Sequence, residues 1–125
     1  MNIITTQEHQ SVESPTHLTL ANDVDPRTLD LSGVTRIDLQ FPKFTDGRAY
    51  SQAFLLRRRL RFAGELRATG DVLIDQLVQM QRTGFDVAVL KDGVDASAAQ
   101  RQLDRFAGFY QGSAVQTQPH FAKAA

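Results

Sequence analysis

The chain contains no cysteine. Disulfides, thiolate zinc sites, cysteine nucleophiles and cysteine-ligated iron–sulfur clusters are therefore outside its chemistry. It has no surplus charge of either sign: Lys+Arg and Asp+Glu both number 14. No overall field draws it to a polyanion, so neither nucleic acid nor a membrane is expected as a partner. No apolar run approaches the roughly 20 residues that span a bilayer. The opening residues, MNIITTQEHQSVESP, offer neither a basic start nor an apolar stretch, so no signal peptide is expected and the expected location is cytoplasmic. No G-x-G-x-x-G follows a strand, and neither G-x-x-x-x-G-K-S/T nor G-x-S-x-G occurs, so the residues call for no cofactor and name no catalytic motif. His9, His17 and His120 are scattered, at no metal-ligand spacing, and no metal site is expected.

What is present describes an ordinary globular domain. The 125 residues are 42% hydrophobic and 22% charged, enough for one core. Residues 1–16 are polar and end in Ser14-Pro15; they read as a flexible N-terminal arm with at most a short strand at Ile3-Ile4. Residues 113–125 read as a disordered C-terminal tail. A single α/β domain spans 17–112.

Within it a strand–helix rhythm repeats. His17–Leu20 predicts a strand, and Asp25-Pro26 an N-cap and first residue for a short helix near Arg27–Leu31. Thr35–Phe41 alternates strictly, and Pro42 ends its ladder. Ala49, Ala53, Leu56 and Leu60 form one stripe of a helix from about Gly47 to Arg61, whose last turn carries Arg57, Arg58, Arg59 and Arg61. That run reads as a solvated helix end complementing the helix dipole. Glu65–Thr69 predicts the third strand. Gly70 supplies a turn, and Asp71 caps a helix to about Thr83. Phe85–Leu90 predicts the fourth strand. Asp95 or Ser97 starts a last helix with the stripe Ala99, Leu103, Phe106 and Tyr110, ended by Gly112.

Four strands alternating with helices imply a parallel sheet with right-handed crossovers. Ile37, Leu39 and Phe41 share one strand face, and Arg36, Asp38 and Gln40 the other. The same division holds for Leu66 and Ala68 against Glu65, Arg67 and Thr69. One apolar and one polar face predict a half-barrel-like (βα)4 arrangement with its helices on one side. The alternative is a three-layer open sheet with helices on both faces, which the doubly apolar fourth strand favours.

Ligands of parallel α/β folds gather at the carboxyl ends of the strands. Those ends hold Lys43, Thr45, Asp46, Gly47 and Arg48 after the second strand, and Gly70 and Asp71 after the third; Arg67 lies on the polar face. Lys43, Arg48 and Arg67 make a candidate anion site, supported by Thr45, Asp46, Gly47, Gly70 and Asp71. The bland reading of Thr45, Asp46 and Asp71 is helix capping.

Phe41-Pro42-Lys43-Phe44-Thr45-Asp46-Gly47-Arg48-Ala49-Tyr50-Ser51, Gly64-Glu65-Leu66-Arg67-Ala68-Thr69-Gly70-Asp71-Val72-Leu73 and Arg82-Thr83-Gly84-Phe85-Asp86 resemble a bacterial family of uncharacterised domains. Its members are commonly encoded beside the assimilatory sulfite reductase and described as oxidoreductases of sulfite reduction. The resemblance covers about residues 17–111. It implies an accessory protein of sulfate/sulfite assimilation, with sulfite reductase or another enzyme of that route as partner. Sulfite reduction itself needs a haem-type and an iron–sulfur centre, and this chain has no cysteine to hold a cluster. Two further readings stand beside it: a small anion-binding enzyme or sensor using Lys43, Arg48 and Arg67, and a module that pairs with a second copy as a homodimer.

Overall fold

A computed structural model describes residues 1–9, 16–43 and 45–107. Phe44, the Phe106 and Tyr110 side chains, Gly112 and the predicted tail 113–125 lie outside them. The described residues form one open sheet of five parallel strands, in the order β1-β5-β4-β3-β2. The strands are β1 (Asn2–Thr5), β2 (His17–Leu20), β3 (Arg36–Phe41), β4 (Glu65–Gly70) and β5 (Val87–Leu90). Three α-helices accompany them: α1 (Arg48–Phe54), α2 (Leu77–Thr83) and α3 (Ala96–Ala107). The α/β reading stands, with five strands in place of four. The extra one comes from the N-terminal arm, where Asn2–Thr5 pairs with Val87–Leu90.

Four of the strands, β2 to β5, lie side by side in chain order. Consecutive right-handed crossovers carry their connections over the same face. The core follows that rule. Leu20, Ile37, Leu39, Phe41, Leu66, Ala68, Ala88 and Leu90 are in register on one face and join Ala49, Ala53 and Leu56 of the α1 region, Leu77 and Met80 of α2, and Ala99 and Leu103 of α3. Strand β5 is buried on both sides, since Val87 and Val89 are buried on the opposite face. The strand alternation is thus cashed as a helix-covered apolar face and a second face holding Arg36, Asp38, Glu65 and Arg67.

The local signals explain most of the element ends. Asp25 accepts the Arg27 backbone N–H at 3.0 Å and Pro26 opens the turn, but that turn is a 3-10 piece, Pro26–Thr28. Asp95 Oδ1 accepts the N–H groups of Ser97 (2.8 Å) and Ala98 (3.3 Å) and starts α3. The helix expected from Gly47 to Arg61 is α1 followed by a π-helical turn, Leu55–Arg59. The helix expected from Asp71 begins later, with a 3-10 turn at Ile74–Gln76 leading into α2.

Because β1 and β2 sit at opposite edges, the link between them must cross about 19 Å of sheet. Residues 6–9 begin that crossing. Thr6 Oγ1 donates to the Leu90 carbonyl at 2.7 Å, and His9 arrives over Asp38 and Arg67. The link therefore starts across the charged face.

Candidate functional site

At the end of β3 the chain turns through Lys43 and Thr45, both exposed, with the Asp46 N–H bonded to the Lys43 carbonyl at 3.0 Å. Asp46 does what a capping aspartate does. Its Oδ1 accepts the Arg48 backbone N–H at 3.0 Å, beside Gly47 at the N-cap position. The same carboxylate is forked by the Arg48 guanidinium, at 3.1 Å to Oδ1 and 2.8 Å to Oδ2, and Asn22 Nδ2 donates to Oδ2 at 2.7 Å. The Arg48 side chain, then its backbone N–H, hold the Asp46 carboxyl far below the usual carboxylate range.

Where β4 ends, Gly70 lies opposite Phe41 at φ +90°, and a Cβ there would stand 2.5 Å from the Phe41 carbonyl oxygen. Only glycine fits so close an approach in that backbone region. The Asp71 N–H bonds the same carbonyl at 2.7 Å. Lys91 Nζ donates to Asp71 Oδ1 at 2.7 Å across from the end of β5. Asp71 thus ties two strand ends rather than capping α2.

The charged face is more enclosed. Asp38, 3% exposed, is forked by Arg36 through Nε to Oδ1 at 2.8 Å and Nη2 to Oδ2 at 2.9 Å. In the neighbouring strand Arg67 pairs with Glu65 (Nε to Oε2, 3.1 Å) and donates from Nη1 to His9 Nδ1 at 3.1 Å. His9 Nε2 stands 3.6 Å from Asp38 Oδ2. Burial lowers the His9 pKa first of all; Asp38 works against that, and Arg36 and Arg67 add to it. Since a guanidinium only donates, Nδ1 is the bare nitrogen and the ring proton faces Asp38. A one-residue slip of β3 would drive this Arg36–Asp38 fork into the apolar face, so the pair also fixes register.

The candidate anion-site residues are therefore divided. Arg48 opens α1, on the helix-covered side, and Lys43 sits at the turn before it. Arg67 is in mid-strand on the other face. Asp46 and Gly47 adjoin Arg48, with Thr45 exposed in the turn before them, while Gly70 and Asp71 join the ends of β3, β4 and β5. The sequence offered no reason to place His9 in this network. No local signal marked it, since Asp38 and Glu65 already give each arginine of that face a carboxylate.

The arginine run also divides. Arg57 is not a solvated end: its guanidinium donates to the carbonyls of Gly84 (2.9 Å), Phe62 (2.8 Å) and Gly64 (2.7 Å), and to Asp86 Oδ2 (2.6 Å). Asp86 Oδ2 in turn accepts the Leu66 N–H at 2.9 Å. Arg57 so clamps the π-helical turn to the start of β4 and to the α2 C-cap. Arg58, Arg59 and Arg61 are exposed.

No group of three or more His, Asp or Glu residues among the described residues is placed to hold a metal ion. No described helix is long and apolar enough to cross a membrane. A five-stranded parallel sheet, wound with helices on one face and carrying charges of β3 and β4 on the other, defines a small α/β domain. Within that class the chain belongs to a bacterial family described as protein of unknown function (DUF934), whose model matches residues 17–121. The match bears out the resemblance of the sequence blocks to a bacterial family of uncharacterised domains. A search of the curated proteins finds no match.

Proposed function

We propose that the chain is an accessory protein of assimilatory sulfate/sulfite reduction that works by docking on another enzyme of that route, sulfite reductase being the expected partner. The sulfur setting rests on the resemblance of the Phe41–Ser51 and Gly64–Leu73 blocks. The choice of docking over catalysis rests on one observation: Arg48, Arg67 and Lys91 are each already held by a carboxylate of their own chain, Asp46, Glu65 and Asp71. Cations already paired in this way are poorer hosts for a small substrate anion.

The test is recovery of sulfite reductase with the tagged full chain from its native cell, together with growth of a deletion strain on sulfate as sole sulfur source. Co-purification and a sulfate-specific growth defect are expected. Normal growth, with no sulfite reductase retained, would overturn the reading.

A further inference from the structure

The outer stripe of α1 and of the π-helical turn after it is unlike the rest of the surface. Phe54 is 47% exposed and Leu60 is 37% exposed, the large hydrophobic side chains that stand out in solvent among the described residues. Beside Phe54 lies a shallow cleft of about 430 Å³, lined by Tyr50, Ser51, Phe54, Leu55 and Thr83. Ser51, Phe54 and Arg58 follow one another at i, i+3 and i+7, one face of a helix, and all three are exposed.

The charges at this stripe are also distinct. Arg27, Arg36, Arg48, Arg57 and Arg67 each have a carboxylate partner. The side chains of Arg58, Arg59 and Arg61 make no ion pair or hydrogen bond among the described residues. They are three exposed positive charges within four positions, in a chain whose total charge is zero. Arg61 moreover holds φ +54°, the one non-glycine residue with positive φ among those described. Glycine is the usual occupant at such a helix exit, so the chain keeps a cation there against local backbone preference.

We infer that this stripe, from Phe54 and its cleft to Arg61, is the docking surface for an acidic segment of a partner protein that carries aromatic or aliphatic side chains. Carboxylates of the segment meet Arg58, Arg59 and Arg61, and its apolar side chains fill the Phe54–Leu55 cleft. Charge complementarity chooses the acidic partner. The apolar half favours protein over nucleic acid: single-stranded RNA needs successive exposed aromatic platforms, and at this stripe Phe54 alone among the described aromatics stands out in solvent, Tyr50 of the cleft being half-buried. The inference rests on the docking role proposed above and adds the chemistry of what docks.

The test is fluorescence anisotropy with the full chain and a labelled peptide alternating Glu with Phe and Leu. Controls are the same peptide with Gln for Glu, one with Gly for Phe and Leu, and labelled oligouridylate. The Glu/Phe/Leu peptide is expected to bind saturably, and each control peptide at least about tenfold more weakly, a difference near 1.4 kcal/mol. Phe54→Ser should weaken binding by a similar factor. So should the combined Arg58→Ala, Arg59→Ala and Arg61→Gly variant, whose thermal midpoint should not fall, because glycine relieves the left-handed strain. Tighter binding of oligouridylate than of the peptide would overturn the inference, as would an affinity unaltered by Phe54→Ser. Sulfite reductase retained equally by both variants would also overturn this surface while leaving the docking role standing. Peptide binding without sulfite reductase recovery would support the surface and remove the proposed partner.

Discussion

Arg67 donates from Nη1 to Nδ1 of His9 across 3.1 Å, although the two residues are 58 positions apart in the chain. The bond exists only while Nδ1 is bare. Protonating that nitrogen would set an imidazolium against a guanidinium, with Arg36 close by as a second cation.

Stability should therefore depend on pH through His9. The unfolded chain protonates it near the ordinary value of 6.5, and the folded chain only at lower pH. As pH falls the unfolded state takes up more protons, so stability is complete above about 6.5 and is lost as pH drops through the lowered folded value. The urea midpoint should fall between about pH 7 and about pH 5, and His9→Gln should flatten that dependence. An equal slope in His9→Gln would assign the effect to other groups.

Arg57→Ala should be far more damaging than its neighbours' replacement. It strips the partner from three carbonyls and from Asp86. The expected loss in chemical denaturation is about 3 kcal/mol. Arg57→Lys, a point charge that cannot reach four acceptors in a fixed fork, should fall in between. Arg58→Ala should stay within about 0.5 kcal/mol of the parent.

Gly70→Ala should destabilise by at least about 2 kcal/mol, from left-handed strain together with a collision. The collision is with the Phe41 carbonyl, 2.5 Å from the added carbon. A thermal midpoint equal to the parent's would mean that the ends of β3 and β4 separate readily.

Tyr50 packs edge-on against Phe41 at 5.1 Å between ring centres and against Phe85 at 6.3 Å, yet its buried hydroxyl has no hydrogen-bond partner among the described residues. Burial pushes the phenol up to about 12. Tyr50→Phe removes an unsatisfied oxygen without moving the ring, so stability should be unchanged or rise by about 1 kcal/mol. Ultraviolet titration should show one tyrosine ionising well above the ordinary value. A clear loss of stability in Tyr50→Phe would reveal a partner for the hydroxyl.

Strands β2 to β5 were legible because their patterns are local: Ile37, Leu39 and Phe41 alternate with Arg36, Asp38 and Gln40 whatever lies elsewhere in the chain. Asp25-Pro26 and Asp95 were legible for the same reason. Strand β1 was legible only as a short strand at Ile3-Ile4; its place in the sheet was not, because four residues carry too little pattern and their partner lies some 85 positions on. The stripe of Ala49, Ala53 and Leu56 gives a helix but not its π-helical turn, since a wider last turn leaves the buried face in place. The separation of Arg48 from Arg67 also escaped, because strand ends can be counted in sequence while the face on which a helix N-terminus sits depends on the crossover. Arg57 and Arg58 are chemically equal in the sequence. Only the approach of Gly84 and Asp86 makes one a clamp and leaves the other in solvent.

The position of β1 has a meaning for assembly. Strand β5 is buried on both faces, and its outer ladder is completed by the chain's own first residues. The family match begins at residue 17, after that strand. Asn2–Thr5 is thus a self-supplied edge guard: it occupies the hydrogen-bonding groups that would otherwise invite another molecule to extend the sheet. Without residues 2–5, β5, the most hydrophobic strand of the domain, would itself be the sheet edge and present its open ladder as a template; with them, the edge falls to a short strand with polar ends, Asn2 and Thr5.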